Sequence, residues 1–470
     1  MNIALDTTNA TQLIAGTLAE FAATLRYEDI PTDIRERAKH LMLDGIGIAY
    51  ASTHYDFAHR SLAAVTELGQ GDSDVIGLSA KLSLRDAVLM NGILVHGLDF
   101  DDTHGPGIIH ATASCLPTAL GVAAHLGISG RELLTAYVLG MEVATRLGSV
   151  AKGGFHQVGF HPTGLVGAFA CALIAGRLQG HNAAQLAMAQ GIALSTASGS
   201  MEFLQDGAWT KRMHPGWAGV AGVTSATLAR HGFIGPKAVY EGRFGLFKSH
   251  LGPLEEACDY ALATEGLGRH WEIDNVSVKP LPACHFTHAC ADAAVLIGQQ
   301  PGFDLQQIAH IKALVPAGVI KTVCEPEQYK RQPQNTYDAQ FSIPYAVASG
   351  LVRGRFGLSE IDPAAIGDKE VLRVANLVEY AADPDSTFPR HYTGEVIVTL
   401  RDGTVLRHRE AINRGGCDRP LANGDIVEKF RENLALVASS ARAEEVLQAV
   451  LTLDNAVSAK AVSSALAARA

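Results

Sequence analysis

A chain of 470 residues is longer than one ordinary hydrophobic core requires, which predicts two domains. Its 47% hydrophobic and 18% charged residues give the balance of a packed globular protein, and a formal net charge of −10 argues against nucleic acid as a partner. The seven cysteines, Cys115, Cys171, Cys258, Cys284, Cys290, Cys324 and Cys417, are scattered and odd in number with no CxxC pair, so neither a disulfide framework nor a zinc site is expected.

The chain opens Met1-Asn2-Ile3-Ala4-Leu5-Asp6, with no basic stretch ahead of an apolar one, and a signal peptide is not expected. Apolar runs such as Thr163–Gly176 fall short of the roughly 20 residues of a membrane span, which leaves the cytoplasm as the expected compartment. Ile30-Pro31-Thr32-Asp33 ahead of Ile34, Ala38, Leu41, Met42 and Ile46 predicts a capped amphipathic helix. The spacing predicts further helices over Leu84–His96, Ala111–Leu126, Gly130–Val150, Thr163–Leu178, Ala183–Ala197 and Gly216–His231. Several are apolar nearly all round, as helices inside a large bundle are.

Near residue 271 the character changes. Ile273–Val278 and Ile308–Val315 read as strands, and Gly394–Leu400 and Thr404–Arg409 flank an Asp402-Gly403 turn as a hairpin. Helices are expected around Ala289–Gln299, Ile343–Val352 and Asp368–Tyr380, and again from Ala422 onward. The expected architecture is mainly α: a large all-helical domain over 1–270, an inserted smaller α+β lid domain over 271–415, and C-terminal helices over 416–470 returning to the first. The final Ser/Ala-rich stretch reads equally as a helix or a frayed tail.

Four segments carry candidate chemistry. His96-Gly97-Leu98-Asp99-Phe100-Asp101-Asp102-Thr103-His104, with His110 beyond it, lies between two predicted helices. Its carboxylates and imidazoles suit a helix cap, a proton-transfer group or a metal site, and the residues alone leave all three open. Phe160-His161-Pro162-Thr163-Gly164 fits a helix start whose N–H groups can receive an anion, with a loop histidine of no special task as the plain alternative. Lys211-Arg212-Met213-His214, just ahead of Pro215-Gly216, offers cations for a carboxylate, or simply a basic surface patch. Lys279-Pro280-Leu281-Pro282-Ala283-Cys284-His285 places a Lys at a strand end and a Cys before a helix, where either can be tuned by its surroundings or be inert core. There is no GxxxxGK[ST], GxSxG or HExxH and no Rossmann fingerprint, so phosphate-loop, serine-hydrolase, zincin and dinucleotide readings have no support.

These motifs, with Asp29-Ile30-Pro31, Leu43-Asp44-Gly45, Asp338-Ala339-Gln340-Phe341-Ser342-Ile343-Pro344-Tyr345 and Arg419-Pro420-Leu421, occur in an order that resembles the MmgE/PrpD family over nearly the whole chain. That family includes 2-methylcitrate dehydratase, cis-aconitate decarboxylase and iminodisuccinate epimerase. The resemblance implies a large helical domain with a smaller α+β lid, a homodimer, and chemistry at a carbanion next to a carboxylate without metal or other cofactor. Positions matching the family's active site are Asp99, Thr103, His110, His161, Lys211 and Lys279. Cys284 stands where the animal decarboxylase has a histidine, and the Trp-Gly-His-Pro-Ser stretch of bacterial 2-methylcitrate dehydratases is missing.

The reading this supports is a lyase that decarboxylates or dehydrates a citrate/aconitate-like di- or tricarboxylate. His161, Lys211 and Lys279 are assigned to carboxylate binding and enolate stabilisation, His110 and Cys284 to proton transfer, and Asp99 and Thr103 to orientation. An epimerase of an iminodisuccinate-like acid, with His110 and Cys284 on opposite faces, is the alternative. A non-catalytic carboxylate-binding homologue is the third.

Overall fold

The computed structural model describes residues 13–468, so the expectation about Met1–Asp6 lies outside the described residues. The protein is mainly α, as its spacing predicts. Helices run at Ile14–Thr24, Thr32–Ser52, Asp56–Leu68, Leu84–Val95, Thr112–Leu126, Gly130–Val150, Pro162–Leu178, Ala183–Ala193 and Thr210–Arg230. Several start where a short polar side chain satisfies a free amide. Ser83 and Ser129 accept from the third residue of their helices, and Asn182 forms a capping box with Gln185.

The Pro162–Leu178 helix is central: every residue except Arg177 is buried, and helices Thr112–Leu126, Gly130–Val150, Ala183–Ala193 and Thr210–Arg230 surround it. Small residues set how closely these axes approach. A Cβ on Gly222 would lie 2.4 Å from the Cβ of Cys171, so the crossing of the Thr210–Arg230 helix over the central one depends on that glycine.

A second apolar cluster surrounds a four-stranded sheet in the order Val378–Ala382, Ile308–Val315, Gly394–Leu400, Val405–Glu410. The first pair is parallel, with Ile311 opposite Val378, and the others are antiparallel. The hairpin at Asp402-Gly403 forms as expected, with Gly403 at φ 89°. Helix His285–Gly298 lies on this sheet and against Ile343–Arg353. A Cβ on Gly394 would fall 2.8 Å from the Cys290 amide nitrogen, so strand and helix meet backbone to backbone there. Helices Asn423–Ala435, Ser440–Leu451 and Ala459–Leu466 then rejoin the first apolar cluster, which resolves the Ser/Ala-rich stretch as helix up to Leu466.

Four expectations need correction. Ile273–Val278 is not one strand: Glu272–Asn275 is a 3-10 turn and only Val276–Ser277 pairs, because its partner Thr103–His104 is two residues long. Asp368–Tyr380 is not one helix: Asp368 caps a helix over Lys369–Ala375, and Val378–Ala382 turns into an edge strand. The helix assigned to Gly216–His231 begins at Thr210 and carries Pro215 inside it, so Lys211 sits in its first turn rather than in a preceding loop. Helix Ala289–Gln299 likewise starts earlier, at His285. Helices Ile14–Thr24 and Asp56–Leu68 lie outside the elements the spacing predicts.

Candidate active site

The Leu84–Val95 helix stops at His96, and the chain turns sharply at Asp99, whose φ is 50°. This left-handed residue separates three nearby carboxylates into three different environments. Asp102 takes the capping role: its carboxylate accepts from the Thr112 amide at 3.2 Å and the Thr112 hydroxyl at 3.0 Å, at the start of helix Thr112–Leu126. Burial and the neighbouring Asp101 push its pKa up to about 8. Asp101 accepts from Nδ1 of His96 at 2.7 Å, with both side chains fully buried. Burial works against that carboxylate, but His96 beside it, through its hydrogen bond, holds it well below the usual range.

Asp99 points the other way, at two ammonium groups. Lys211 Nζ lies 2.6 Å from its Oδ1, and Lys279 donates to the same oxygen at 3.0 Å and to the Asp99 carbonyl at 2.8 Å. Burial alone would raise the Asp99 pKa; the two lysines reverse this and hold it well below the carboxylate range. Burial likewise opposes the Lys279 ammonium, and Asp99 with Asp101 more than offsets it.

His110 follows a tight hairpin, closed by His104 and Ile109, that brings it back beneath Asp102. Its Nδ1 lies 2.7 Å from the Asp102 carbonyl oxygen and 3.3 Å from the Thr103 hydroxyl. A carbonyl can only accept, so Nδ1 carries the proton and Nε2 keeps a lone pair. Burial, reinforced by Lys279, lowers the His110 pKa well below its ordinary value and keeps the ring neutral at pH 7. His161 occupies the N-cap position of the central helix, 3.1 Å from His214 between their Nδ1 atoms, and burial lowers its pKa too.

Cys284 stands just before helix His285–Gly298, its amide donating to the Gln340 carbonyl at 2.9 Å. Burial, then the Asp99 charge, pushes its thiol up to about 11, so it is a proton donor rather than a thiolate at neutral pH.

All seven residues singled out from the sequence, Asp99, Thr103, His110, His161, Lys211, Lys279 and Cys284, line one inner chamber of about 70 Å³. Phe203, Phe341 and Tyr392 give it apolar walls. Two further residues contribute from outside it. His96 stacks behind His161 with ring centroids 5.5 Å apart, its Nε2 buried without a partner. Gln340 donates to the Pro282 carbonyl at 2.9 Å and to the Leu98 carbonyl, tying the Cys284 segment to the Asp99 segment. The five-residue spacing of His96 and Asp101 is the available signal for the first; the second is marked only by its place in the Asp338–Tyr345 motif.

Ring nitrogens of His96, His110 and His161 lie within 4.8 Å of one another, so among the described residues these could hold a metal ion, and the three aspartates are committed elsewhere. The ammonium groups of Lys211 and Lys279 line the same chamber and oppose a further cation. Two ammoniums against one Asp99 carboxylate leave the chamber a surplus of positive charge, fit to receive an anion.

Comparisons with known proteins bear on the chain as a whole. Residues 16–257 match the MmgE/PrpD N-terminal domain and residues 281–455 the MmgE/PrpD C-terminal domain. The chain is 26% identical to a cis-aconitate decarboxylase-like protein of Aspergillus oryzae, covering 94% of each chain. It is 28% identical to the cis-aconitate decarboxylase of Homo sapiens over 89% of this chain and 87% of that one. With the cis-aconitate decarboxylase of Aspergillus terreus it shares 27% identity over 95% and 94%. No helix among the described residues is long and apolar enough to cross a membrane.

Proposed function

The chain belongs to the MmgE/PrpD family, and on that premise we propose that it is a metal-free lyase that decarboxylates or dehydrates a citrate/aconitate-like polycarboxylate. The observation that carries this reading is the double clamp on Asp99, in which Lys211 at 2.6 Å and Lys279 at 3.0 Å share one carboxylate oxygen. A buried ammonium pair held in place by a single carboxylate is preorganised for a second one, that of the substrate. The relatives named for cis-aconitate decarboxylation support the choice of acid.

In this reading Lys211, Lys279 and His161 bind the substrate carboxylates and stabilise negative charge that develops beside them. Loss of CO2 leaves its bonding electron pair on a carbon conjugated to a carboxylate, and that carbon must then take a proton. The Cys284 thiol, kept protonated with its pKa near 11, is the donor. For dehydration, the neutral His110 removes the proton next to the carboxylate through its Nε2 lone pair. The C–H electron pair becomes the C=C bond, and the β-hydroxyl leaves as water with a proton from the Cys284 thiol. Asp99 and Thr103 orient the cations, His110 and the substrate. The α+β segment over 271–415 acts as a lid, and the working form is a homodimer in the cytoplasm.

Proton NMR of the purified protein in D2O with cis-aconitate, citrate, 2-methylcitrate and iminodisuccinate tests this directly. Loss of CO2 or of water from one of them is the expected result. Deuterium exchange without elimination would instead make the protein an epimerase, and binding with neither would make it a non-catalytic homologue. Activity abolished by a chelator and restored by a divalent ion would overturn the metal-free part.

A further inference from the structure

Next to the inner chamber lies a larger cavity of about 660 Å³, walled by Lys152, Leu262, Arg390, Cys417 and Asp418 among others. Thr103, Ile108, His285 and Tyr392 line both and form the boundary they share, the neck. Among the described residues only three that are not glycine have positive φ: Asp99 at 50°, Ile108 at 50° and Lys152 at 47°. Asp99 faces the inner chamber, Lys152 the outer one, and Ile108 stands between.

Ile108 is the anomalous member. A β-branched side chain is among the least tolerant of a left-handed backbone, which glycine adopts freely. The loop already contains Gly105 and Gly107, yet the left-handed position itself carries isoleucine. Nor is the loop free to relax. Its ends are closed by His104 N to Ile109 O at 2.8 Å and Ile109 N to His104 O at 3.3 Å. Gly107 presses on the Gly130–Val150 helix so closely that a Cβ on Gly148 would meet the Gly107 Cα at 3.1 Å. The Ile108 Cδ1 lies where a Cβ on Gly153 would touch it at 3.5 Å. The backbone favours glycine here, and what isoleucine adds is a fixed apolar side chain in the neck.

We propose that Ile108 is the size filter of the inner chamber, a specificity-determining residue that admits short, compact polycarboxylates to Asp99, Lys211 and Lys279 and holds longer or branched ones in the outer cavity. The identity of the acids rests on the function proposed above; the neck does not.

Cys284 is a reporter built into the inner chamber, and the exposed Cys417 is its control on the outer one. Purified wild type, Ile108→Gly and Ile108→Ala are treated with methyl and benzyl methanethiosulfonate, and adducts are located by mass spectrometry. In the wild type, Cys284 is expected to react at least tenfold more slowly with the benzyl reagent than with the methyl one, relative to Cys417. Both variants should remove most of that difference; an unchanged ratio in both would overturn the proposal. Ile108→Gly should also melt above Ile108→Ala, since both lack the side chain and only alanine keeps the strain, and the reverse order would remove the premise. With a turned-over acid in hand, the variants should raise kcat/KM for homologues longer by one or two methylenes relative to the parent, and an unaltered preference would count against the filter. If the wild type converts no acid, the proposed function falls while the labelling ratio still decides the neck.

Discussion

Lys429, on the Asn423–Ala435 helix, donates to the Phe100 carbonyl oxygen at 2.8 Å while its ammonium sits 3.7 Å from the centre of the Phe100 ring. The same Nζ is 2.7 Å from Asp44 Oδ1 on the Thr32–Ser52 helix. A cation in the last helices thus fixes the residue next to Asp99. Burial lowers the Lys429 pKa and raises that of Asp44, the mark of a pair held against desolvation. Lys429→Met strands Asp44 as a buried charge and is expected to destabilise by about 3 kcal/mol, read as a lower urea midpoint at unchanged slope. Adding Asp44→Asn should recover most of that loss. Turnover should stay depressed in the double variant, because the Phe100 carbonyl has still lost its donor.

Asp101 fixes the ring behind the chamber. Its carboxylate accepts the Nδ1 proton of His96, and Nε2 of the same ring is buried without a partner beside His110 and His161. Asp101→Asn can present its amide N–H to Nδ1 instead, which leaves Nε2 as the ring's donor. Turnover should drop by about a hundredfold with KM nearly unchanged. Imidazole nitrogen shifts of the variant should report the other tautomer of His96. A variant with wild-type kcat would leave Asp101 a purely structural residue.

What the sequence made legible follows from locality. His161 precedes Pro162, and Cys284 precedes the helix at His285, so helix-start signals place both at the ends of buried elements. Spacing alone does not rank the three aspartates after His96, and only the family resemblance singles out Asp99, because their separation depends on the left-handed turn there, which no adjacent glycine announces. Lys429 and Phe100 are 329 residues apart, and Gln340 reaches Leu98 across 242, so neither contact leaves a local pattern. The strand Val378–Ala382 was hidden for the same reason. It is a strand because Ile308–Val315 lies beside it, while its apolar residues alone continue the spacing of the helix before it.

Asp102 carries a pH signature opposite to that of Asp99. Its folded pKa of about 8 is raised above the unfolded value, so its contribution to stability is fully present below about pH 4 and is lost as the pH rises towards 8. Asp99 is depressed, so its contribution is present above about pH 4 and is lost as the pH falls below that. Asp102→Asn keeps an acceptor for the Thr112 amide without the ionisation. Its melting temperature relative to wild type should therefore become more favourable between pH 5 and pH 8, by roughly several degrees. A difference that does not vary with pH would mean that Asp102 is ionised throughout.

The crossing of helices Leu84–Val95 and Thr210–Arg230 sets the distance between Asp99 and Lys211, since one helix leads into Asp99 and the other carries Lys211 in its first turn. Their backbones touch at Gly92 and Gly216. A Cβ on Gly216 would lie 2.3 Å from the Leu89 carbonyl oxygen, and one on Gly92 would lie 2.4 Å from the Gly216 Cα. Neither neighbour is a side chain that can swing away, so Gly216→Ala must push the helices apart. Overpacking of this kind costs about 1–3 kcal/mol. The same displacement lengthens the 2.6 Å contact of Lys211 with Asp99, and kcat/KM should fall by roughly tenfold or more with every chamber residue intact. Gly424→Ala is the control: nothing lies within 4 Å of its Cβ position, and it should be neutral or stabilising by up to about 1 kcal/mol. Thermal melts and steady-state kinetics on the two variants separate a general intolerance of alanine from this one crossing. If Gly216→Ala keeps wild-type stability and activity, the Asp99–Lys211 contact is not set by where these two helices meet.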